Sequence, residues 1–398
     1  LIGLICPWQI GANLATPGKL MSFAIAAVGC VLAMLVLLPL ARRLGWYDHP
    51  DAGRKDHAVP TPFVGGIALA AGALAAVVLL GMDGGDLRAL SALGVASVLM
   101  LAIGLYDDLH DSNWRWRIAA QVLAALVLVY GGGLAVNHVG TVFGHPITSL
   151  GWFSMPFTVF MVVALINALN MADGVDGLTG SVVFVGLAMF AAAALYAGDP
   201  ALFAVLAAVA GAVLGFLVFN LRRPGLPRAR VFLGNGGSAL LGLVIAWASL
   251  RLTQNPEHPV TAILLPWLLV PPVVDAVALV LRRAAQGRSP FAADRNHMHH
   301  FMLDAGFSPS QIALALGGIS LGLGGLAALS LRNNWVDHTA LVLIYITMTV
   351  AWFLLTWRRD RAVAFFAFIH QRSRRPGQPK PAADPLTGAD SLEPDRSP

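Results

Sequence analysis

Asn167, Asn170 and Asp173 are spaced by three, and Asp176 follows at the same interval. Residues three apart on a helix are neighbours, so the two amides and the first carboxylate share one broad face. Gly174 and Gly177 then break the helix and let backbone approach a ligand. The stretch lies between apolar runs at 157–166 and 182–195. An ionisable residue at membrane depth is expensive, which makes it a functional hypothesis by default. A polar inter-helix loop would need no such spacing.

Four other polar stretches carry chemistry. Asp107 and Asp108 are adjacent carboxylates at the end of an apolar run; they repel unless a divalent cation, a phosphate-bound proton or a basic residue is near. Acids at a helix C-terminus also oppose the macrodipole. Arg115 and Arg117 follow as candidate phosphate ligands. Gly234-Asn235-Gly236-Gly237-Ser238 opens the next-but-three apolar run. Its free backbone N–H groups and positive helix end would suit an anion, although small residues there also serve helix packing. No Gly-Lys-Ser/Thr follows, so it is not a Walker A loop. His297, His299 and His300 could ligate a transition metal, donate to phosphate, or act as acid and base. Zinc is disfavoured, because the remaining polar groups are hard oxygen ligands that suit magnesium. Near the start, Lys55 and His57 are placed to meet an anionic ligand, while Arg42 and Arg43 read as membrane-surface anchors.

These stretches must be positioned by apolar helices. The 398 residues are 57% hydrophobic and only 12% charged, which excludes an average soluble domain. The sequence predicts an all-α, polytopic membrane protein with eleven spans, near 21–41, 62–81, 91–106, 114–133, 152–171, 177–197, 201–220, 237–254, 259–281, 310–330 and 338–357. Pro39, Pro266, Pro271 and Pro272 should kink the spans that hold them. Residues 1–20 read as an extension or a mis-called start, 21–357 as the transmembrane domain, and 358–398 as a basic, Pro-rich, disordered tail. Two cysteines indicate neither a disulfide framework nor a thiolate metal site. All of the 26 Lys and Arg except Lys19, Arg88, Arg251 and Arg332 fall on one side of the predicted spans. The positive-inside rule then puts the N-terminus outside and the C-terminus in the cytoplasm. Every polar stretch named above falls on that cytoplasmic side. The net charge of +5 is a topology signal and not one for nucleic acid. One-sided clustering fits an enzyme acting on an anionic substrate at the membrane face, with Mg²⁺-assisted phosphate chemistry the natural class. A coupled transporter would instead place its acids at mid-span.

Asp107-Asp108, Asn167-x-x-Asn170-x-x-Asp173-Gly-x-Asp176-Gly-Leu, Phe232-Leu-Gly-Asn235-x-Gly-Ser and Asp294-Arg295-Asn-His297-Met-His299-His300 together resemble the polyprenyl-phosphate N-acetylhexosamine-1-phosphate transferases. The resemblance covers about residues 21–310 and looks most like the WecA branch, through the Asn-Met-Ala-Asp and His-x-His-His forms and Ser289-Pro290-Phe291. It implies that undecaprenyl phosphate attacks the β-phosphorus of a UDP-N-acetylhexosamine, most simply UDP-GlcNAc, releasing UMP. It implies Mg²⁺, with Mn²⁺ as a substitute, at an inner-membrane site that starts envelope glycan synthesis of the O-antigen kind, and a homodimer. Transfer of phospho-MurNAc-pentapeptide is the related alternative. By resemblance, Asp107 is a base or lipid-phosphate partner and Asp108 lies close to the metal. Asn170 and Asn235 are metal ligands. Asp173 and Asp176 shape the nucleotide site, Asp176 facing uracil and Phe232 stacking on it. Arg117 meets the diphosphate, and Arg295, His297, His299 and His300 hold the sugar phosphate. Lys55, Asn167 and Gly234 complete the substrate-binding set. One position departs. The family motif has Asp where this chain has Asn235, and that Asp is a principal metal ligand. An amide oxygen can ligate a hard cation but brings no charge, which implies weaker metal binding, a shift of the burden to Asp107, Asp108 or Asp173, or impaired catalysis.

Overall fold

In hydrocarbon every backbone amide must be satisfied within its own helix, so apolar runs of this length fold as spans. The computed structural model describes residues 17–48, 59–80, 86–147, 149–290 and 295–373. Its helices are α1 (Pro17–Leu44), α2 (Gly65–Leu80), α3 (Leu87–His110), α4 (Trp114–Leu126), α5 (Ser154–Ala172), α6 (Leu178–Tyr196), α7 (Pro200–Asn220) and α8 (Gly234–Thr253). The short α9 (Leu265–Leu268) leads into α10 (Val270–Ala285), followed by α11 (Met298–Asp304), α12 (Pro309–Arg332), α13 (His338–Thr356) and α14 (Arg359–Ser373). Among the described residues eight helices are long and apolar enough to cross a membrane, or nine if the bent pair around α9 and α10 is one span. The chain is thus an all-α polytopic membrane protein. Of the other predicted spans, α2 is apolar but has 16 residues, and α4 runs on into a π-helical turn at Val127–Gly131.

Helix α8 is the axis. Every residue from Gly236 to Leu250 is buried, as expected of a helix that is apolar all round. It packs on α2, α3, α5 and α6, while α1, α2 and α6 surround α7. At the end away from the polar motifs, Arg251 of α8 pairs with Asp86 at 2.8 Å and Asp199 at 3.6 Å. Those two acids are the N-caps of α3 and α7, so one guanidinium ties three helix ends together.

Close approach at the other end is made by glycines. A Cβ on Gly104 of α3 would lie 2.1 Å from the Gly236 backbone, and one on Gly66 of α2 would lie 2.4 Å from Gly237. The glycine-rich run is therefore a packing device between α2, α3 and α8. Gly104→Ala should lower thermal stability in detergent by about 1–3 kcal/mol or more, because backbone on both sides leaves nothing to rotate aside. An unchanged melting temperature would contradict the packing.

Two expectations need correction and one is sharpened. The span predicted at 91–106 continues as helix through His110, so Asp107 and Asp108 lie in its last turn and not in a loop. The kink expected from the prolines of the span at 259–281 is a full break: Ala262–Leu268 and Val270–Ala285 meet at 92°. Pro271 and Pro272 lack the N–H groups that would continue the ladder onto Trp267 and Leu268. The tail predicted to begin at 358 starts with α14, which packs on α11. Ala362, Phe366 and His370 repeat every four residues and are buried, a helical stripe hidden inside a basic composition.

Candidate active site at one end of the bundle

The C-terminal turn of α3, the C-terminal turn of α5 and the N-terminus of α8 converge. Asp107, 5% exposed, accepts four hydrogen bonds. Ser112 N and Oγ bond its Oδ1 at 3.0 and 2.6 Å. Arg117 Nη1 and Asn235 Nδ2 bond its Oδ2 at 3.0 and 2.8 Å. Asn235 in turn accepts from Asn170 Nδ2 at 3.1 Å, and Asn170 Nδ2 also reaches Ser238 Oγ at 2.9 Å. The Asn235 amide is thus a neutral bridge between an acid on α3 and an amide on α5.

The anion cradle predicted at the start of α8 is filled by the protein itself. Asn235 N donates to both oxygens of Asp108, at 3.1 and 3.0 Å. Gly234, with φ +75°, sits so close that a Cβ there would be 2.7 Å from Asp108 Oδ2. The positive helix end does bind a carboxylate, as helix N-termini do, but it is the one from α3.

Donor chemistry at this point fits a hard cation. Asp107, Asp108, Asn170 and Asn235 offer carboxylate and amide oxygens, the set Mg²⁺ prefers. Among the described residues no group of three or more His, Cys, Asp or Glu is placed to hold a metal, so an ion here would depend on the amide oxygens.

Around this knot lie two further groups. Asp176 Oδ2 accepts from Arg222 Nε at 2.6 Å and from Ala229 N at 3.1 Å, which joins the loop after α5 to the loop after α7. Asp173 is half-buried, and desolvation pushes its carboxyl up to about 7; the Thr179 hydroxyl opposes the shift and Asp176 adds to it. The folded-state value lies above the ordinary 3.8, so protons stay on the folded form longer than on the unfolded one. Stability attributable to this group is present at low pH and lost as pH rises from about 4 to about 7. Asp173→Asn should therefore gain melting temperature over the wild type at pH 8 and gain little at pH 4. Equal gains at both would assign the effect to something other than ionisation.

The histidines pack as a stack. His297 and His299 lie with ring centroids 5.4 Å apart and planes 5° apart, and His299 and His300 are at 4.4 Å. Burial, reinforced by His300, His297 and Arg295, holds the His299 imidazole well below its usual range and so neutral. A Cβ on Gly174 would be 2.4 Å from His299 Nε2, so the histidine segment closes directly onto the loop that carries Asp173 and Asp176.

Not every predicted residue joins the knot. Asn167 turns away: its Nδ2 donates to Gln121 Oε1 of α4 at 2.6 Å and to Val163 O at 2.8 Å, a bond between helices and not a ligand contact. Phe232 contributes through backbone, receiving at its carbonyl from Gly65 N and donating to Pro62 O, next to the Tyr47–Asp48 and Thr61–Pro62 ribbon. Arg295 is half-buried, and its carbonyl is held by Arg359 of α14. Lys55 and Asp294 fall outside the described residues. Sequence reasoning overlooked Gln121, Arg222 and Asp275. Asp275, the one acid within 259–281, had a signal: a carboxylate inside an apolar span.

Comparison with known proteins adds an independent line. The family model described as Glycosyl transferase family 4 matches residues 90–253, from α3 to the end of α8. The undecaprenyl-phosphate alpha-N-acetylglucosaminyl 1-phosphate transferase of Escherichia coli (strain K12) is 32% identical over 336 residues, 84% of this chain and 89% of that protein. The proteins of the same name from Salmonella typhi and Haemophilus influenzae are 30% and 32% identical. They align over 90% and 85% of this chain, and over 96% and 97% of their own lengths.

Proposed function

The chain belongs to the polyprenyl-phosphate N-acetylhexosamine-1-phosphate transferases of glycosyl transferase family 4, and from that membership we propose that it transfers GlcNAc-1-phosphate from UDP-GlcNAc to undecaprenyl phosphate. A lipid phosphate oxygen bonds to the β-phosphorus, the bond from that phosphorus to UMP breaks, and UMP leaves. The observation that carries the reading is the knot of Asp107, Asn235 and Asn170, assembled within reach of the Asp176–Arg222 pair and the histidine stack.

Mg²⁺ in that knot, held by Asp108, Asn170 and Asn235 with Asp107 alongside, would offset negative charge on the transferring group. The chain's own groups do the rest. Asp107 fixes Arg117 as a cation at the edge of the site, where a diphosphate would meet it. Asp176 fixes the loop beside Arg222 for the nucleotide. The histidine stack faces the same loop for the sugar phosphate. The topology expected from the charge distribution, eleven spans with the N-terminus outside and the C-terminus in the cytoplasm, would put this end at the cytoplasmic face of a bacterial inner membrane. There the product would prime an O-antigen-like envelope glycan. Asn235 favours a second reading, a homologue of weakened catalysis.

Protein supplied with undecaprenyl phosphate, Mg²⁺ and a panel of UDP-sugars should release UMP with UDP-GlcNAc, and EDTA should stop it. Release of UDP or inorganic phosphate would refute the reaction. A preference for UDP-MurNAc-pentapeptide would move the chain to the related branch, and no turnover with any donor would favour the impaired homologue.

A further inference from the structure

The acid inside the broken span is fully engaged. Asp275 of α10 is 8% exposed. Its Oδ2 meets His297 Nδ1 at 3.1 Å, and its Oδ1 accepts from Met298 N and from Trp352 Nε1 of α13, each at 3.1 Å. Seven residues on, and so on the same face of α10, Arg282 Nη2 donates to Asn296 O at 2.7 Å and Nη1 donates to Thr356 O. Trp352 and Thr356 are four apart on α13. Asp275 and Arg282 of α10 thus grip residues 296–298, and Trp352 and Thr356 of α13 brace those two side chains.

A grip of that kind would need only the backbone contacts. The contact to the imidazole is the additional one. Imidazole in its neutral form has one donor and one acceptor nitrogen, and the partner of one nitrogen decides the role of the other. A carboxylate oxygen only accepts, so His297 must carry its proton on Nδ1. Its Nε2 then has the lone pair, or a second proton when the ring is charged. Nε2 makes no hydrogen bond among the described residues and is not among the buried polar atoms without a partner.

We propose that Asp275 is a positioning residue for the transfer reaction: through His297 Nδ1 it fixes the tautomer and ring orientation that present the Nε2 lone pair as an acceptor to a hydroxyl or amide N–H of the UDP-sugar. This rests on the reading of the chain as a UDP-sugar transferase. Asp275 itself touches no substrate.

The two oxygens of Asp275 have unequal duties, and that makes the test specific. In Asp275→Asn the amide oxygen must take the Oδ1 position, where two donors converge. The NH₂ group then faces His297 Nδ1 and forces that nitrogen to accept, so the proton moves to Nε2. The grip on Met298 and Trp352 survives while the tautomer inverts. The expected result is a loss of UMP-release kcat of roughly 10²-fold or more, the scale of one acid–base group, with KM for UDP-GlcNAc within about threefold. Trp352→Phe removes one donor from Oδ1 and leaves the His297 contact intact; its kcat should stay within roughly fivefold. In ¹⁵N-histidine NMR at about pH 8.5, where imidazole is neutral, the resonances lost in His297→Gln should be Nδ1-protonated in the wild type and Nε2-protonated in Asp275→Asn.

Wild-type kcat in Asp275→Asn, or a loss in Trp352→Phe as large as in Asp275→Asn, would overturn the proposal, since the first removes the effect and the second assigns it to the grip. An Nε2-protonated His297 in the wild type would overturn it independently of activity. If the wild type releases no UMP, the active-transferase reading gives way to that of an impaired homologue, and the tautomer measurement alone then decides whether Asp275 sets His297.

Discussion

Asn235→Asp is expected to make the protein's stability depend on a divalent cation. In the wild type the Asn235 amide donates to Asp107 and accepts from Asn170, while its backbone holds Asp108. An Asp side chain would place a carboxylate oxygen where the 2.8 Å N–H···O bond to Asp107 now is, with Asp108 of α3 bound to the backbone N–H of the same residue. Like charges at about 4 Å repel by roughly 4 kcal/mol at an effective dielectric of about 20. In EDTA the variant should melt several degrees below the wild type. Mg²⁺ or Mn²⁺ should restore it, because a third carboxylate supplies the charge an amide lacks. Mn²⁺ affinity, read by electron paramagnetic resonance without substrate, should tighten roughly tenfold or more. A variant whose melting and Mn²⁺ binding match the wild type would show that position 235 does not face the cation.

Asp107→Asn should abolish measurable turnover while the protein still folds. The carboxylate accepts from two donors on each oxygen. An amide can accept on one side only, so its NH₂ must confront either the Ser112 pair or the Arg117–Asn235 pair. In the first case the local turn opens. In the second, Arg117 loses its anchor and the Asn235 NH₂ loses its acceptor, so a cation and an amide meant to be fixed become free to move. Loss of such preorganised electrostatics costs about 10²–10³ in rate for a single donor, and here two are displaced together. The check is UMP release beside a melting curve: near-normal turnover would remove Asp107 from the reaction. A collapse of melting would mean the residue is mainly structural, and Ser112→Ala then separates the two contributions.

Much of this was legible in the sequence because it depended on runs and spacing. Twenty-residue apolar stretches gave the spans, and amides and acids at their ends gave the positions of Asp107, Asn170, Asp173 and Asn235. What the sequence left hidden is pairing across distance. Asp108 and Asn235 are 127 residues apart, and nothing local says that the acid on α3 fills the helix end of α8. Asn167 has the spacing of its neighbours but lies on the side of α5 that faces Gln121. Gly236 and Gly237 looked like a cradle because glycine permits close approach; the approaching partners are Gly104 and Gly66, not a ligand. The prolines foretold a kink near Asp275 but not its partner, which lies 22 residues away at His297.

The double set of donors on Asp107 has a meaning for biogenesis. Ser112 and Arg117 come from the ten residues that follow Asp107, whereas Asn235 arrives 128 residues later. Synthesis proceeds from the N-terminus, and early segments must wait for late ones. During that wait a bare carboxylate at the rim of a new span would invite water or a wrong neighbour. The turn after α3 supplies the serine and the start of α4 the arginine, so the acid is sheltered from the moment its hairpin forms. The last donor then has only to dock against a partner already in place.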